Sequence, residues 1–526
     1  MKFNRLTTIS LEAMSLLSLL FISPGLHAQE IIFHWSGAQN DQFGNTMATL
    51  ADVSGDGIPE ILVGAPGADC NTTADGAVYV YSGKDGTTFA VHCGVRLYKW
   101  YTDAFGASLA DLGDVDGDNV TDYAIGGPVY YSSLGDGAGR VCVYSGKDGA
   151  LMYQLEGEQK GIHFGATVAG IGDIDADGRA DLLVAATEWA DVWPSNAGRA
   201  YVYSGATGAL IRSHDGEEEY DHFGYWVAGI GDVDADGTPD YAVTAQNDYP
   251  SYFIGVVFVY SGATGTLLYR WAGDATHFFF GVGVTGQLDW NGDGFGDIIV
   301  GGAGNLNTDG YVYVYSGKDG TILASAVGET FGTQFGYSVA NVGDMNDDGY
   351  PEILAGEPLN SDLANFAGRV TLLSGRTLRR LYHFYGSGRA DMRFGFRVAG
   401  GRDYNGDGIP DVMSSELAGD EATLFAGNDL FLQATKKDVT AGDSLTIDTR
   451  GGGDGVLAAL VLKEVNGTAC FLPIQIGSLD VNGEMALDTS VPSGLAGITL
   501  KLQSYALRQN GQRGIVDSSS ETISIY

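Results

Sequence analysis

Phe164-Gly165-Ala166-Thr167-Val168-Ala169-Gly170-Ile171-Gly172-Asp173-Ile174-Asp175-Ala176-Asp177-Gly178-Arg179-Ala180-Asp181-Leu182-Leu183-Val184-Ala185 holds three patterns in succession. A stretch with period-two character comes first, an acidic loop broken by glycine second, and a continuous apolar run third. Alternation marks a strand with one covered face, and a short apolar run flanked by turn residues marks a strand buried on both faces. The loop between them is therefore a β-hairpin connection. It is an unusual one, because its carboxylates recur at every second position.

The same unit recurs along the chain, and such self-similarity decides the architecture before any local detail. A Phe-Gly pair opens each copy: Phe43-Gly44, Phe105-Gly106, Phe164-Gly165, Phe223-Gly224, Phe280-Gly281, Phe335-Gly336 and Phe394-Gly395. Nine residues after each Phe stands an Asp (Asp52, Asp114, Asp173, Asp232, Asp289, Asp344 and Asp403), while the distance between units drifts from 55 to 62 residues. A constant interior with variable joins describes one structural unit connected by surface loops.

Past the apolar run, each unit continues through a variable loop into a β-rich stretch such as Ala200-Tyr201-Val202-Tyr203. A glycine turn such as Ser204-Gly205-Ala206-Thr207-Gly208 follows, then a fourth strand such as Thr266-Leu267-Leu268-Tyr269-Arg270-Trp271. Four antiparallel strands per unit, with no helical pattern between units, predict a blade of a β-propeller. The seventh unit stops after its third strand, Ala422-Thr423-Leu424-Phe425. Ile31-Ile32-Phe33-His34-Trp35, ahead of the first Phe-Gly, has the pattern of the missing fourth. A ring sealed in this way leaves no open sheet edge at its seam. The expected fold is thus all-β: a seven-bladed propeller over residues 29–427, its last blade completed by residues 31–35, followed by a smaller domain.

Phe43-Gly44 followed by Gly64-Ala65-Pro66, with Asp-rich loops between, resembles the FG-GAP repeats of integrin α-subunit propellers and their bacterial relatives. Unit two carries Gly126-Gly127-Pro128 and unit six Gly356-Glu357-Pro358, whereas units three, four and seven lack the motif. The resemblance implies an extracellular adhesion or ligand-binding module. Its ligand would sit on the disc face that carries the loops between second and third strands and between blades.

The acidic loops fit metal binding. Their oxygen-bearing positions 1, 3, 5 and 9 are Asp52, Ser54, Asp56 and Glu60 in unit one; Asp114, Asp116, Asp118 and Asp122 in two; and Asp173, Asp175, Asp177 and Asp181 in three. Unit four has Asp232, Asp234, Asp236 and Asp240; unit five has Asp289, Asn291, Asp293 and Asp297; unit six has Asp344, Asn346, Asp348 and Glu352; and unit seven has Asp403, Asn405, Asp407 and Asp411. Four such oxygens and a main-chain carbonyl can surround a hard cation at the 2.3–2.6 Å typical of calcium. Glycine at position 6 lets the loop fold onto the ion, and Asn119 replaces it in unit two. An EF-hand would need a Glu at position 12 and flanking helices, and neither pattern is present. Up to seven structural Ca2+ ions are expected. Sites three and four come first by charge, and site one last. A site with a dissociation constant of about 0.1 mM, in about 1 mM calcium, adds about 1.4 kcal/mol to stability.

The net charge is −38, from 66 acidic and 28 basic residues. More than a third of the acids sit at these ligand positions. Such a surface repels phosphate backbones and anionic membranes, so nucleic acid is not an expected partner. Lys2 and Arg5, the apolar run Leu16 to Ile22 and Leu26-His27-Ala28 read as a secretory signal over residues 1–28. Secretion without membrane insertion is expected after its removal. Cys70 and Cys93 flank one hairpin and either pair or stay reduced, while Cys142 and Cys470 read as buried small residues.

Tyr130, Tyr131, Trp189, Trp193, Tyr249, Tyr252 and Phe253 enrich the expected ligand-face loops in aromatics. Such side chains either anchor a protein or glycan ligand or pack onto the blade rims. No G-x-S-x-G, H-E-x-x-H or phosphate-cradling glycine loop occurs, and the loop carboxylates are taken up by metal duty. A non-catalytic binding module is the reading, with a polysaccharide lyase or hydrolase on the same scaffold as the alternative. His163 and His222 share the position before Phe-Gly, which suggests packing. Residues 428–526 show short alternating strands separated by turns such as Gly451-Gly452-Gly453 and Asn482-Gly483, the pattern of a β-sandwich.

Overall fold

In each blade the apolar run becomes the second strand and lies between two neighbours, which is why it tolerates no alternation. Glu60–Ala65, Asp122–Gly127, Asp181–Ala186, Asp240–Ala245, Asp297–Gly302 and Asp411–Glu416 are buried along their whole length. Fourth strands such as Leu210–Asp215 and Leu267–Ala272 are exposed or half-buried along their length and lie at the rim. The computed structural model describes residues 31–427, apart from 71–74, 96–102, 133–134, 136, 189–196, 247–253, 275–277, 306–307 and 346–348. Beyond 427 it describes only the strand backbones between 431 and 525. The secretory segment expected at 1–28 lies outside the described residues.

Seven four-stranded antiparallel sheets make up the unit Glu30–Asn428. Blade three is typical: Phe164–Gly172 pairs with Asp181–Ala186, that strand with Arg199–Tyr203, and that with Leu210–Asp215. First strands of successive blades pack on one another all the way round, including Thr46–Thr49 of blade one against Phe394–Arg402 of blade seven. The ring is closed, and the fold is a seven-bladed β-propeller. Blade seven takes its outer strand from the other end of the propeller, with Ile31–Ser36 running antiparallel to Glu421–Phe425 and Phe33, His34 and Trp35 opposite Leu424, Thr423 and Ala422.

The core is a ring of layers between blades. Val141, Val143 and Ala124 of blade two interleave with Leu182, Val184 and Tyr201 of blade three in one cluster. Leu183 and Val202 of blade three meet Tyr241 and Phe258 of blade four in the next. Each sheet thus buries both faces against its neighbours.

The Phe-Gly pair is explained by this packing. All seven Phe side chains are buried, at 3 % exposure or less. All seven following glycines have φ between 79° and 92°, a region that side chains avoid. At Gly106 an added Cβ would also lie 2.7 Å from the Ala77 carbonyl oxygen of the preceding blade. The glycine that begins Gly64-Ala65-Pro66 is equally confined, since its Cβ would sit 2.3 Å from the Gly106 carbonyl oxygen. Where the motif is lost, Ala185, Thr244 and Ser415 occupy that position without disturbing the four-stranded sheets. Hydroxyls three residues after the Phe latch blade to blade: Thr46, Ser108, Thr167 and Ser338 donate to the carbonyls of Gly106, Gly165, Gly224 and Gly395 at 2.7–2.9 Å.

Cys70 and Cys93 form a disulfide with Cα atoms 5.6 Å apart, and Cys142 is a buried free thiol. In the separate C-terminal unit the strands form two sheets. One has three strands: Phe431–Ala434, Ser444–Arg450 and Met485–Ser490. The other has five, in the order Asp438–Val439, Ile515–Ile525, Ile498–Leu507, Leu457–Val465, Thr468–Ser478. No helix occurs among the described residues.

Candidate metal centres

Each acidic loop joins the first strand to the second at the end of the disc away from the Phe-Gly pairs. The position-1 carboxylate organises the turn. In blade one Asp52 Oδ1 accepts the backbone N–H groups of Gly55 and Asp56, and its Oδ2 that of Gly57, at 2.7–3.1 Å. Asp173, Asp232 and Asp289 repeat this, each accepting from positions 5 and 6. Burial pushes the Asp52 carboxyl up, but these N–H donors outweigh it and hold the group below its usual range. Gly57, Gly178, Gly237, Gly294, Gly349 and Gly408 at position 6 all have φ between 84° and 91°, and Asn119 takes 66° in their place.

Position 9 anchors the loop to the blade. Glu60, Asp122, Asp181, Asp240, Asp297, Glu352 and Asp411 are fully buried. Each accepts the N–H of the residue after position 1; for Asp240 the donor is Val233, at 2.7 Å. In blades two to seven the second oxygen also accepts an N–H from the glycine after the third strand, such as Gly262 at 2.7 Å. In blade one that oxygen, Glu60 Oε1, is buried without a partner. Burial raises the carboxyls of Glu60, Asp122, Asp181, Asp240, Asp297 and Asp411 despite the donors, Asp181 and Asp240 to about 6 and Asp411 to about 7. Neighbouring loop carboxylates push in the same direction.

Carboxylate oxygens of Asp52, Asp56 and Glu60 lie within 4.8 Å of one another, as do those of Asp114, Asp116 and Asp122; of Asp173, Asp175 and Asp181; and of Asp232, Asp234 and Asp240. Oxygens on opposite sides of one calcium ion are about 5 Å apart, twice the Ca–O distance, so these groups fit a single ion of that size. The raised carboxyls at position 9 and the partnerless Glu60 oxygen are groups that a cation held in these clusters would stabilise. Asp118, Asp177 and Asp236, at position 5, face backbone N–H donors at position 7, while Ser54 donates to Asp52. In blades five and seven, Asn291 and Asn405 at position 3 turn their amide nitrogens toward Asp293 and Asp407 and their oxygens toward the N–H of the same residues. In blade six Asp344 and Glu352 are held by the N–H groups of Gly349 and Met345. Asn346 and Asp348 lie outside the described residues.

One determinant escaped the sequence reading. The turn after the third strand supplies Lys84, Lys147 and Lys318, whose ammonium groups lie 3.1–3.8 Å from the position-5 carboxylates Asp56, Asp118 and Asp293. Blades three and four have Ala206 and Ala263 there and keep their full negative charge. The signal was the recurring Ser-Gly-Lys-Asp-Gly of units one, two and five, visible as a turn but not as a counter-charge.

Of the aromatic candidates, Tyr130 is half-buried with the Arg140 guanidinium 4.5 Å above its ring, and Arg140 in turn pairs with buried Asp103. Tyr131 is half-buried. Trp189, Trp193, Tyr249, Tyr252 and Phe253 lie outside the described residues.

Two segments match family models: residues 43–81 the FG-GAP repeat, and residues 289–355 the FG-GAP-like repeat. Among curated proteins, integrin alpha-5 of Xenopus laevis is 32% identical over 234 residues, which is 41% of this chain and 21% of that protein. Integrin alpha-V of Gallus gallus is 32% identical over 224 residues, 40% of this chain and 21% of its own length. Integrin alpha-IIb of Homo sapiens is 33% identical over 219 residues, 39% and 20% respectively. The chain spans about a fifth of the length of these relatives. Repeat spacing, ring closure and these likenesses agree: the chain is an integrin-α-like FG-GAP β-propeller.

Proposed function

We propose that the protein is a secreted, calcium-stabilised propeller that binds an extracellular protein or glycan and performs no catalysis. The observation that carries this reading is the set of carboxylate clusters, each within 4.8 Å, repeated at one position of an integrin-α-like ring. A bound Ca2+ would supply the positive charge these carboxylates lack. The chain's own residues do the rest: position 1 shapes the turn, position 9 ties it to the second strand, and positions 3 and 5 close it. Removing mutual repulsion at several hairpins stiffens one face of the disc and leaves the opposite loops free for a ligand. Blades three and four, lacking the lysine, are proposed to bind most tightly. Domain limits of 1–28, 29–427 and 428–526 belong to the same reading, with the last as a β-sandwich.

Thermal unfolding of the exported protein with calcium and with chelator tests the metal claim, and a midpoint unmoved by chelation would end it. A binding screen against matrix proteins and glycans, run with and without calcium, tests the ligand claim separately.

A further inference from the structure

The hub of the ring holds a half-open cavity of about 320 Å³ at the Phe-Gly end of the innermost strands, opposite the acidic loops. Its wall is made where the repeat is broken. The latch position three residues after the Phe is Ser or Thr in four blades, but Trp226 in blade four and Arg397 in blade seven. The two meet across the hub: the Arg397 guanidinium lies 5.1 Å from the Trp226 ring and 4.6 Å from the Phe396 ring. The Trp226 indole is fixed in place by donating to the Val284 carbonyl at 3.1 Å.

Arg397 has no carboxylate partner among the described residues, in a chain of net charge −38. Its one side-chain hydrogen bond goes to its neighbour's carbonyl, on Phe396, at 3.3 Å, and its Nε is buried without an acceptor. No Asp or Glu lines the cavity. A guanidinium withheld from every available carboxylate, and flanked by aromatic faces, is poised for an anion from outside, and bidentate pairing with a carboxylate is its preferred geometry.

The remaining wall selects for hydroxyl groups. Thr46, Ser108 and Thr167 spend their protons on glycine carbonyls, so toward the cavity they offer only lone pairs. Tyr225, pushed up to about 12 chiefly by burial, keeps its proton as a donor. Acceptors, a phenol donor, aromatic rings and one guanidinium together match a sugar acid, and the volume accommodates a single ring.

We propose that the hub cavity binds a small polyhydroxylated carboxylate of the uronic-acid type, its carboxylate paired with Arg397 and its hydroxyls on the latch Thr and Ser residues. This site is independent of the acidic loops and of the adhesion reading. Calorimetric titration of the full, calcium-loaded chain with D-glucuronate, D-glucose and acetate tests it. Glucuronate should bind at millimolar concentration, with glucose, acetate and the Arg397→Gln variant each weaker by about tenfold or more. Glucose or acetate binding as well as glucuronate, or undiminished binding to R397Q, would overturn the proposal. Should R397Q fail to fold, a crystal structure of the unaltered protein grown with glucuronate decides: sugar against Arg397 supports the site, and an empty hub removes it.

Discussion

Trp35 stacks on Tyr81 with ring centroids 4.8 Å apart and donates its indole N–H to the Gly86 carbonyl at 2.9 Å. Trp271 does the same one blade further on from its own sheet, stacking on Tyr315 at 4.2 Å and donating to Gly320. His92 on Tyr144 and His214 on Tyr260, at 4.1 and 4.0 Å, use the same outer-strand position. An aromatic or imidazole ring on each of these outer strands thus clamps the next blade, and the chain's first strand supplies one of them.

Trp35→Ala should therefore cost about 3–5 kcal/mol of unfolding free energy, the range for emptying a packed Trp site. Trp271→Ala should cost a similar amount. Chemical denaturation of both variants checks this. A loss under about 1 kcal/mol for Trp35→Ala alone would mean that the first strand does not hold the ring shut.

For the metal loops, Asp240→Asn and Asp181→Asn should shrink the calcium-induced rise in thermal midpoint. Lys147→Ala, which frees Asp118 from its 3.1 Å counter-ion, should tighten the blade-two site by about threefold, and less at high salt. Direct calcium titration measures each site, and weaker binding in Lys147→Ala would refute the counter-charge role.

Acid should destabilise the ring through its histidines. Burial lowers His92 and His214 from 6.5 to about 4, and each ring nitrogen sits 2.7 Å from a tyrosine hydroxyl, of Tyr123 and Tyr241. Between pH 6.5 and 4 these two histidines bind more protons in the unfolded chain than in the folded one, so the stability they contribute above 6.5 is lost as pH falls toward 4, opposite in sign to the contribution of the raised Asp181, Asp240 and Asp411 carboxyls. The double variant His92→Gln/His214→Gln should flatten that acid limb in melts recorded across the range. An unchanged slope would place the protonation elsewhere.

Backbone strain gives a fourth test. The residues before the seven Phe are Gln42, Ala104, His163, His222, Phe279, Gln334 and Arg393, and all take φ between 49° and 61°. A left-handed non-glycine residue costs about 1–2 kcal/mol. Ala104→Gly should therefore be neutral or stabilising by up to about 1 kcal/mol, whereas Gly106→Ala, two residues on, should destabilise by more than about 2 kcal/mol. Paired denaturation curves separate the two.

Much of this was legible because the repeat makes each claim seven times. The fixed offset from Phe to Asp carried the blade count, and the apolar run after each loop carried the buried second strand. The left-handed residues were invisible, since Gln42, Phe279 and Arg393 share no side-chain chemistry and their conformation is imposed by the blade alongside. The Cys70–Cys93 bond was left open, because a separation of 23 residues fixes no distance until the hairpin is folded. Tyr130 read as one of the loop aromatics, and the Arg140 guanidinium over its ring was not visible from the sequence. Arg397 and Trp226 escaped because an averaged repeat hides the positions that depart from it.

His34 meets its partner Thr423 only after 389 further residues have been made. During synthesis the earliest strand is a stranded edge, while the blades behind it assemble from neighbours close in sequence. The last blade can be finished only when both ends of the ring exist, so a truncated chain is left with an unsatisfied sheet. The seam thus serves as a check on completeness, distinguishing a whole molecule from a partial one by whether the circle can shut.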